Sequence, residues 1–224
     1  MGEGPMKATG AEAAAGASEV GAQASAAGAN AAAREMRGRA RRTGSASRTR
    51  SIAFVGLTIA IMGVSAWVSV PLGPVLLTLQ MFAISFAILV LSPRECMVAI
   101  TGYVLLGTLG LPLFSGMRGG IGMLLGPTGG YLWGYLLGVG AALALRAALA
   151  RMAGTRAFAV DLCACLVFIA VSYLCGCVQY AAVVGVDLAA AFAVTIAPFA
   201  IPDVMKAVAA VVCARAVKRA LPRR

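Results

Sequence analysis

The sequence contains no histidine, and its charges are few and one-sided: eight acidic against nineteen basic side chains in 224 residues. Without histidine the chain lacks the side chain that most often serves as acid or base near neutral pH. It can form no Ser-His-Asp triad and offers none of the imidazole ligands on which most zinc sites depend. A phosphate-binding loop of the Walker type and other nucleotide motifs are missing too. Any ATP-driven work in which the chain takes part therefore requires hydrolysis by another chain. An enzyme is not expected. Charged residues amount to only 12% of the sequence, about half of what a soluble domain carries.

What replaces the missing charge is apolar. Hydrophobic residues make up 61% of the chain and the mean hydropathy is +0.90. They gather in runs of roughly 20 residues, the length that crosses a bilayer as helix. The expectation is an all-α, polytopic protein of the cell membrane. A net charge of +11 would point to nucleic acid in a soluble protein. Here the basic residues sit in the N-terminal segment, between apolar runs and at the C-terminus, where the positive-inside rule places them. Aromatics interleaved with a basic face, as a nucleic-acid groove needs, are absent. Anionic lipid headgroups are the expected counter-charge, and no nucleic-acid partner is expected.

Residues 1–50 are Ala, Gly and Ser with a basic second half (Arg34, Arg37, Arg39, Arg41, Arg42, Arg48, Arg50). They cannot bury a core and read as a disordered cytoplasmic tail without the apolar centre of a signal peptide. Residues 51–224 are the membrane domain. Spans are expected over Ser51–Val70, Val75–Leu91, Cys96–Gly110, Gly129–Leu149 and Leu162–Val184, with a last helix from Pro198–Pro202 to Val217. Pro71-Leu-Gly-Pro74 breaks the first two, and Asp187–Ala197, too short to span, reads as an interfacial helix. The tail, the Arg94 turn, the linker with Arg146, Arg151 and Arg156, and the C-terminal Lys218, Arg219, Arg223 and Arg224 then share one side. Arg118 alone lies in the opposite loops. Six spans with both termini cytoplasmic follow.

Between the third and fourth spans lies Leu111–Tyr131, LPLFSGMRGGIGMLLGPTGGY. Loops of this length are usually functional or disordered, and its Gly and Pro argue for order. Glycine allows main chain to approach a ligand closely, which places Gly120 and Gly129 among the candidate ligand positions. The flanking Leu, Ile, Met and Phe are not expected in water. The segment reads as a folded lid or re-entrant stretch over a cavity.

Asp203 and Lys206 lie three apart at the start of the last helix, on one face. A charge at membrane depth costs at least ~2.5 kcal/mol, so an ionisable pair there is a binding candidate. The competing reading is an ordinary helix-start acid with its lysine partner. A lysine can hold a carboxylate and an aspartate can accept N–H groups, which suits a small ligand with an acid at one end and N–H donors at the other. Gln80 either lines a cavity or bonds a neighbouring helix. Arg118 attracts an anionic ligand or is a solvated loop charge. Phe114 and Tyr131 bracket the lid and read as pocket aromatics, whereas Trp133 and Tyr135 read as interfacial belt. Asp203 is taken as the one buried aspartate of any site. Cys163/Cys165 and Cys175/Cys177 are spaced by two, which splays them around a helix, so all six cysteines read as buried packing residues rather than a metal site. Gly56-Leu-Thr-Ile-Ala60 is a small-xxx-small pattern that permits close helix approach.

Taken together, Val70-Pro-Leu-Gly-Pro-Val-Leu-Leu-Thr-Leu-Gln80, the lid ending Leu-Leu-Gly-Pro-Thr-Gly-Gly-Tyr131, and Asp203-x-x-Lys206 resemble the BioY family over roughly Ile52 to Val217. Those proteins are biotin-binding S components of energy-coupling factor (ECF) transporters. The resemblance implies a six-helix S-component fold and biotin as the transported ligand, with no cofactor. Its implied partners are a transmembrane T subunit and two ATP-binding subunits. It further implies that Asp203 accepts from the ureido ring, that Lys206 holds the valerate carboxylate, and that Gly56 and Ala60 meet the T subunit. Ile201-Pro202-Asp203 departs from the family's usual Pro-Gly-Asp, and Leu76 stands where a proline is common. An S component for another small vitamin, or a membrane assembly subunit without transport, are the alternatives.

Overall fold

In the computed structural model of the chain, residues 48–71, 76–153 and 158–220 are described. Contacts divide the chain into units Met1–Ser51 and Ile52–Arg224. Most of the tail, residues 72–75, Arg156, Arg223 and Arg224 fall outside the described residues. A long helix α1 (Arg48–Trp67) leads into a hairpin of β1 (Ser69–Pro71) and β2 (Leu76–Thr78), antiparallel with Ser69 opposite Thr78. There follow α2 (Gln80–Val90), α3 (Pro93–Thr108), α4 (Ile121–Leu125), α5 (Gly129–Ala153), α6 (Phe158–Val184), α7 (Leu188–Thr195) and α8 (Ala200–Ala220).

Local chemistry sets the ends. Ser92 and Glu95 form a capping box ahead of α3, with Pro93 at the first helical position, where its missing N–H costs nothing. Gly110, at φ 108°, closes α3 as the left-handed residue of a Schellman turn, with Leu111 N–H donating to the Leu106 carbonyl. Asp187 caps α7 through its side chain and the Ala190 N–H, 3.2 Å apart.

The helices pack without the charged faces of a soluble bundle. Helices α5 and α6 form the most extensive pair. Gly130, Gly134 and Gly138 recur every four residues along the face of α5 that meets α6. A Cβ at Gly134 would stand 2.6 Å from Ser172 Cα, and one at Gly138 2.8 Å from the Phe168 carbonyl. Small residues in this register let two backbones approach, the main source of packing energy between helices in lipid. Helix α2 lies against α8, and α3 against α5. Ile84, Ile88, Tyr103, Val139, Phe168 and Val211 are fully enclosed between them.

Among the described residues three helices, α1, α5 and α6, are each long and apolar enough to cross a bilayer, and α7 with α8 passes as one span bent by 50°. Helices α2 and α3, of 11 and 16 residues, reach about 16 and 24 Å at 1.5 Å per residue against ~30 Å of hydrocarbon. Six spans are thus only partly visible by length. The second was expected from Val75, but Leu76–Thr78 pair with β1 and α2 begins at Gln80. Pairing with Ser69–Pro71 satisfies the backbone of Leu76–Thr78, and helix starts only beyond it.

Two further expectations are corrected. Arg146, counted as a linker charge, is buried on α5, and Asp161 on α6 is buried as well. Asp203 is therefore not the one buried aspartate. Arg146 donates through Nε to Asp161 Oδ1 at 3.1 Å, and through its other nitrogens to the Ile88 and Leu89 carbonyls at 2.6 and 3.2 Å. It thereby caps the C-terminal end of α2, whose last carbonyls have no helical partner. Arg215 reaches the second oxygen of Asp161 at 3.5 Å. Of the cysteines, Cys163 and Cys213 are exposed on the helix surface rather than buried, and Cys175 is half-buried. In a membrane that outer surface meets lipid, which a thiol tolerates.

Candidate functional site

A cavity of about 260 Å³ opens where β2, the start of α2, the 111–128 segment, α5, α6 and the start of α8 converge. Its charged lining is one acid, Asp203, and one base, Arg118.

Asp203 stands in the first turn of α8, only 3% exposed. Oδ1 accepts from Lys206 Nζ at 2.7 Å and Oδ2 from the Tyr173 hydroxyl at 2.6 Å. Lys206 also donates to the Thr78 carbonyl at 2.7 Å, tying α8 to the hairpin. The helix-start ion pair therefore forms, and of its two members only Asp203 lines the cavity. Lys206 stands behind it. A carboxylate oxygen has more than one acceptor site, so both oxygens keep capacity for further N–H donors.

Gln80 opens α2 at the cavity wall and is 2% exposed. Its Nε2 donates to the Tyr103 hydroxyl at 2.8 Å, and that hydroxyl donates to the Leu113 carbonyl at 2.7 Å. The two readings left open for Gln80, cavity lining and an interhelical bond, hold together.

The segment over the cavity is folded and pinned. Trp67 Nε1 donates to the Pro112 carbonyl at 2.7 Å, Gly120 N–H to the Gly107 carbonyl at 2.7 Å, and Gln179 Nε2 to the Leu124 and Gly126 carbonyls at 2.9 and 2.8 Å. Phe114 is buried against Gly107, where a Cβ would have no room, and meets Tyr103 edge-on with ring centres 5.6 Å apart. Phe114 N–H donates to the Arg118 carbonyl at 2.9 Å, closing a turn in which Met117 takes φ 56°, unusual for a residue with a Cβ. Of the segment's apolar side chains, Met117, Ile121 and Leu125 are exposed. They lie on the outer surface, where lipid makes exposure of Leu and Ile harmless.

Phe114, Arg118 and Tyr131 line the cavity, whereas Gly120 and Gly129 do not. Gly120 caps α4 at φ 97°. At Gly129 a Cβ would stand 2.6 Å from Gln179 Nε2. Both shape the lid rather than its inner wall. Tyr135, expected in the interfacial belt, is buried and lines the cavity, while Trp133 remains half-exposed on the outside. Tyr135 lies four residues after Tyr131, on the same helix face, a signal that sequence reading passed over. Tyr173, Thr78 and Thr128 also line the cavity and were missed. Of these only Tyr173, a hydroxyl in the middle of an apolar span, carried a sequence signal.

A sequence model described as the BioY family matches residues 36–223. The chain belongs to the BioY family. Among its relatives, the biotin transporter BioY of Thermotoga maritima is 46% identical over 89 residues, covering 40% of this chain and 53% of that protein. The chain thus spans about half the length of that relative. The probable biotin transporter BioY of Pyrococcus horikoshii is 37% identical over 165 residues, covering 74% of this chain and 94% of the other. A crystal structure of the S-component for biotin from an ECF-type ABC transporter superposes with a TM-score of 0.70 at 21% identity, over 77% of this chain and 93% of that one. The fold of this BioY-family chain is therefore the all-α S-component fold, and the chain is a multi-pass membrane protein.

Proposed function

We propose that the chain binds biotin in this cavity and takes it across the cell membrane as the S component of an ECF transporter. The observation that carries this reading is the polar inventory of an otherwise aromatic cavity. Biotin is a cyclic urea fused to a thioether ring, with a carboxylate on a four-carbon chain. Asp203 and Gln80 offer acceptors to the urea N–H groups, and Tyr135 offers a hydroxyl to the urea carbonyl. Arg118, on the exposed loop, matches the carboxylate. Lys206 acts on the ligand by fixing Asp203. Phe114, Tyr131, Tyr173 and Phe199 enclose the apolar rings. A volume of about 260 Å³, close to the lower end of the ~300–1,000 Å³ usual for ligand sites, suits a molecule of vitamin size. Gly120 and Gly129 serve the ligand by shaping the lid.

Biotin should bind the purified, detergent-solubilised chain at 1:1 stoichiometry by isothermal titration calorimetry. A monodisperse, helical sample with no biotin heat would overturn the substrate and leave the fold intact.

ATP-driven transport requires partners, since the sequence holds no nucleotide motif. A T subunit and two ATP-binding subunits fill that role, with both termini cytoplasmic. Gly56 and Ala60 lie exposed on α1, and a Cβ at Gly56 would meet nothing within 4 Å. This shallow strip of small residues lets a partner helix approach. Gly56→Leu and Ala60→Leu should leave biotin binding unchanged and lower ATP-driven uptake of radiolabelled biotin in cells expressing the partner subunits. Uptake at the wild-type rate in both variants would move the partner contact elsewhere.

A further inference from the structure

Gln80 is buried at the cavity wall, and an amide side chain is ambiguous by itself. Turned one way it presents an acceptor to a ligand, turned the other way a donor. What decides is Tyr103, which is fully buried and does not line the cavity. Its hydroxyl oxygen lies 2.7 Å from the Leu113 carbonyl and 2.8 Å from the Gln80 amide. A phenol has one hydrogen. The Leu113 carbonyl can only accept, so it takes that hydrogen, because otherwise two acceptors would face each other at hydrogen-bonding distance. The phenol oxygen is then left to accept, and Gln80 must supply its NH2 group. The amide oxygen, Oε1, has no hydrogen-bonding partner among the described residues, although the residue is 2% exposed and lines the cavity.

We infer that Tyr103 is a positioning residue that fixes the Gln80 amide with its oxygen toward the ligand, so that Gln80 reads an N–H group and rejects an acceptor at that place. The inference rests on the biotin reading for the identity of that N–H, one of the two on the urea ring. Tyr103 itself touches no ligand. Its ring is held edge-on against Phe114, and its hydroxyl is anchored to the lid main chain at Leu113. The direction of Gln80 is thus set by the folded lid and not by side-chain preference. Removing the hydroxyl frees the amide to rotate, and half of its orientations then place NH2 against the ligand's own N–H.

The chain contains three glutamines, Gln23, Gln80 and Gln179, so selective 15N-glutamine labelling of the full-length protein in detergent resolves their side-chain amides. In the ligand-free protein, Tyr103→Phe should shift the Gln80 NH2 resonances and speed their exchange with solvent. The Gln179 amide, bonded to Leu124 and Gly126, should stay in place as the fold control. An unmoved Gln80 amide would overturn the inference, and this arm needs no ligand. The second arm is a biotin-binding cycle of wild type, Tyr103→Phe, Gln80→Met and the double variant. Tyr103→Phe should weaken biotin about tenfold, the worth of one well-placed hydrogen bond, and should cost less than about twofold once Gln80 is Met. An equal cost in both backgrounds would assign Tyr103 to packing or lid anchoring and overturn the inference. Failure of the wild type to bind biotin would count against the substrate alone, since the amide resonances still decide what Tyr103 does.

Discussion

Asp203→Ala is expected to weaken biotin binding by at least about 100-fold, because two losses coincide. Each hydrogen bond to a charged group is worth about 1.5–3 kcal/mol net, and the urea ring would lose its anionic acceptor. The vacated site would then hold an ammonium and a phenol arranged for a carboxylate: Lys206 would keep only the Thr78 carbonyl, and Tyr173 would lose its 2.6 Å acceptor. A ligand N–H brought against those donors is repelled. Asp203→Asn, which keeps shape and one acceptor oxygen, should fall between wild type and Ala. Lys206→Ala should lose less, about tenfold, with normal membrane insertion, since Lys206 orients the carboxylate and braces the hairpin from behind. Titration calorimetry of the four proteins, with size-exclusion profiles as the folding control, reads the order. Asp203→Ala binding within twofold of wild type would remove Asp203 from the ligand. A loss at Lys206→Ala larger than at Asp203→Ala would instead put the ammonium directly on the carboxylate of biotin.

The sequence showed what depends on local pattern and concealed what depends on distant partners. Apolar runs and the glycine-rich lid are consecutive along the chain, and the long spans at Gly129–Leu149 and Leu162–Val184 and the folded lid formed where their residues stand. The hairpin at Leu76–Thr78 was hidden because three residues carry no readable period and lie at the head of an apolar run. Pairing with Ser69–Pro71 decides them. Asp203 and Lys206 were legible as a pair at helical spacing, but not that Lys206 turns to Thr78, 128 residues away. Tyr135 was assigned to the belt on residue type, while its spacing from Tyr131 put it on the cavity face. Arg146 looked like one more positive-inside charge. Only the fold shows that α2 ends beside it and that Asp161 meets it from α6.

The buried cluster around that arginine yields the largest stability effect. Arg146, Asp161 and Arg215 bind α2, α5, α6 and α8 together at the end of α2 remote from the cavity, which begins at Gln80. Removing one member of a buried ion pair leaves the other charged without compensation and typically costs about 3–5 kcal/mol. Asp161→Ala is the severest case, since two guanidinium groups then face each other without their shared carboxylate. Arg146→Leu leaves Asp161 with Arg215 but uncaps the carbonyls of Ile88 and Leu89, two buried residues, and an unmet buried acceptor is costly. Both variants should unfold at clearly lower temperature than wild type in detergent, followed by circular dichroism. The double variant Arg146→Leu/Asp161→Leu should recover part of the loss, because it removes the two most deeply buried charges together and leaves only Arg215, whose side chain is partly exposed. Biotin affinity of the folded fraction should stay within about twofold, as the network touches no cavity residue. An Asp161→Ala protein that melts like wild type would show that the cluster is solvated and does not hold these four helices together.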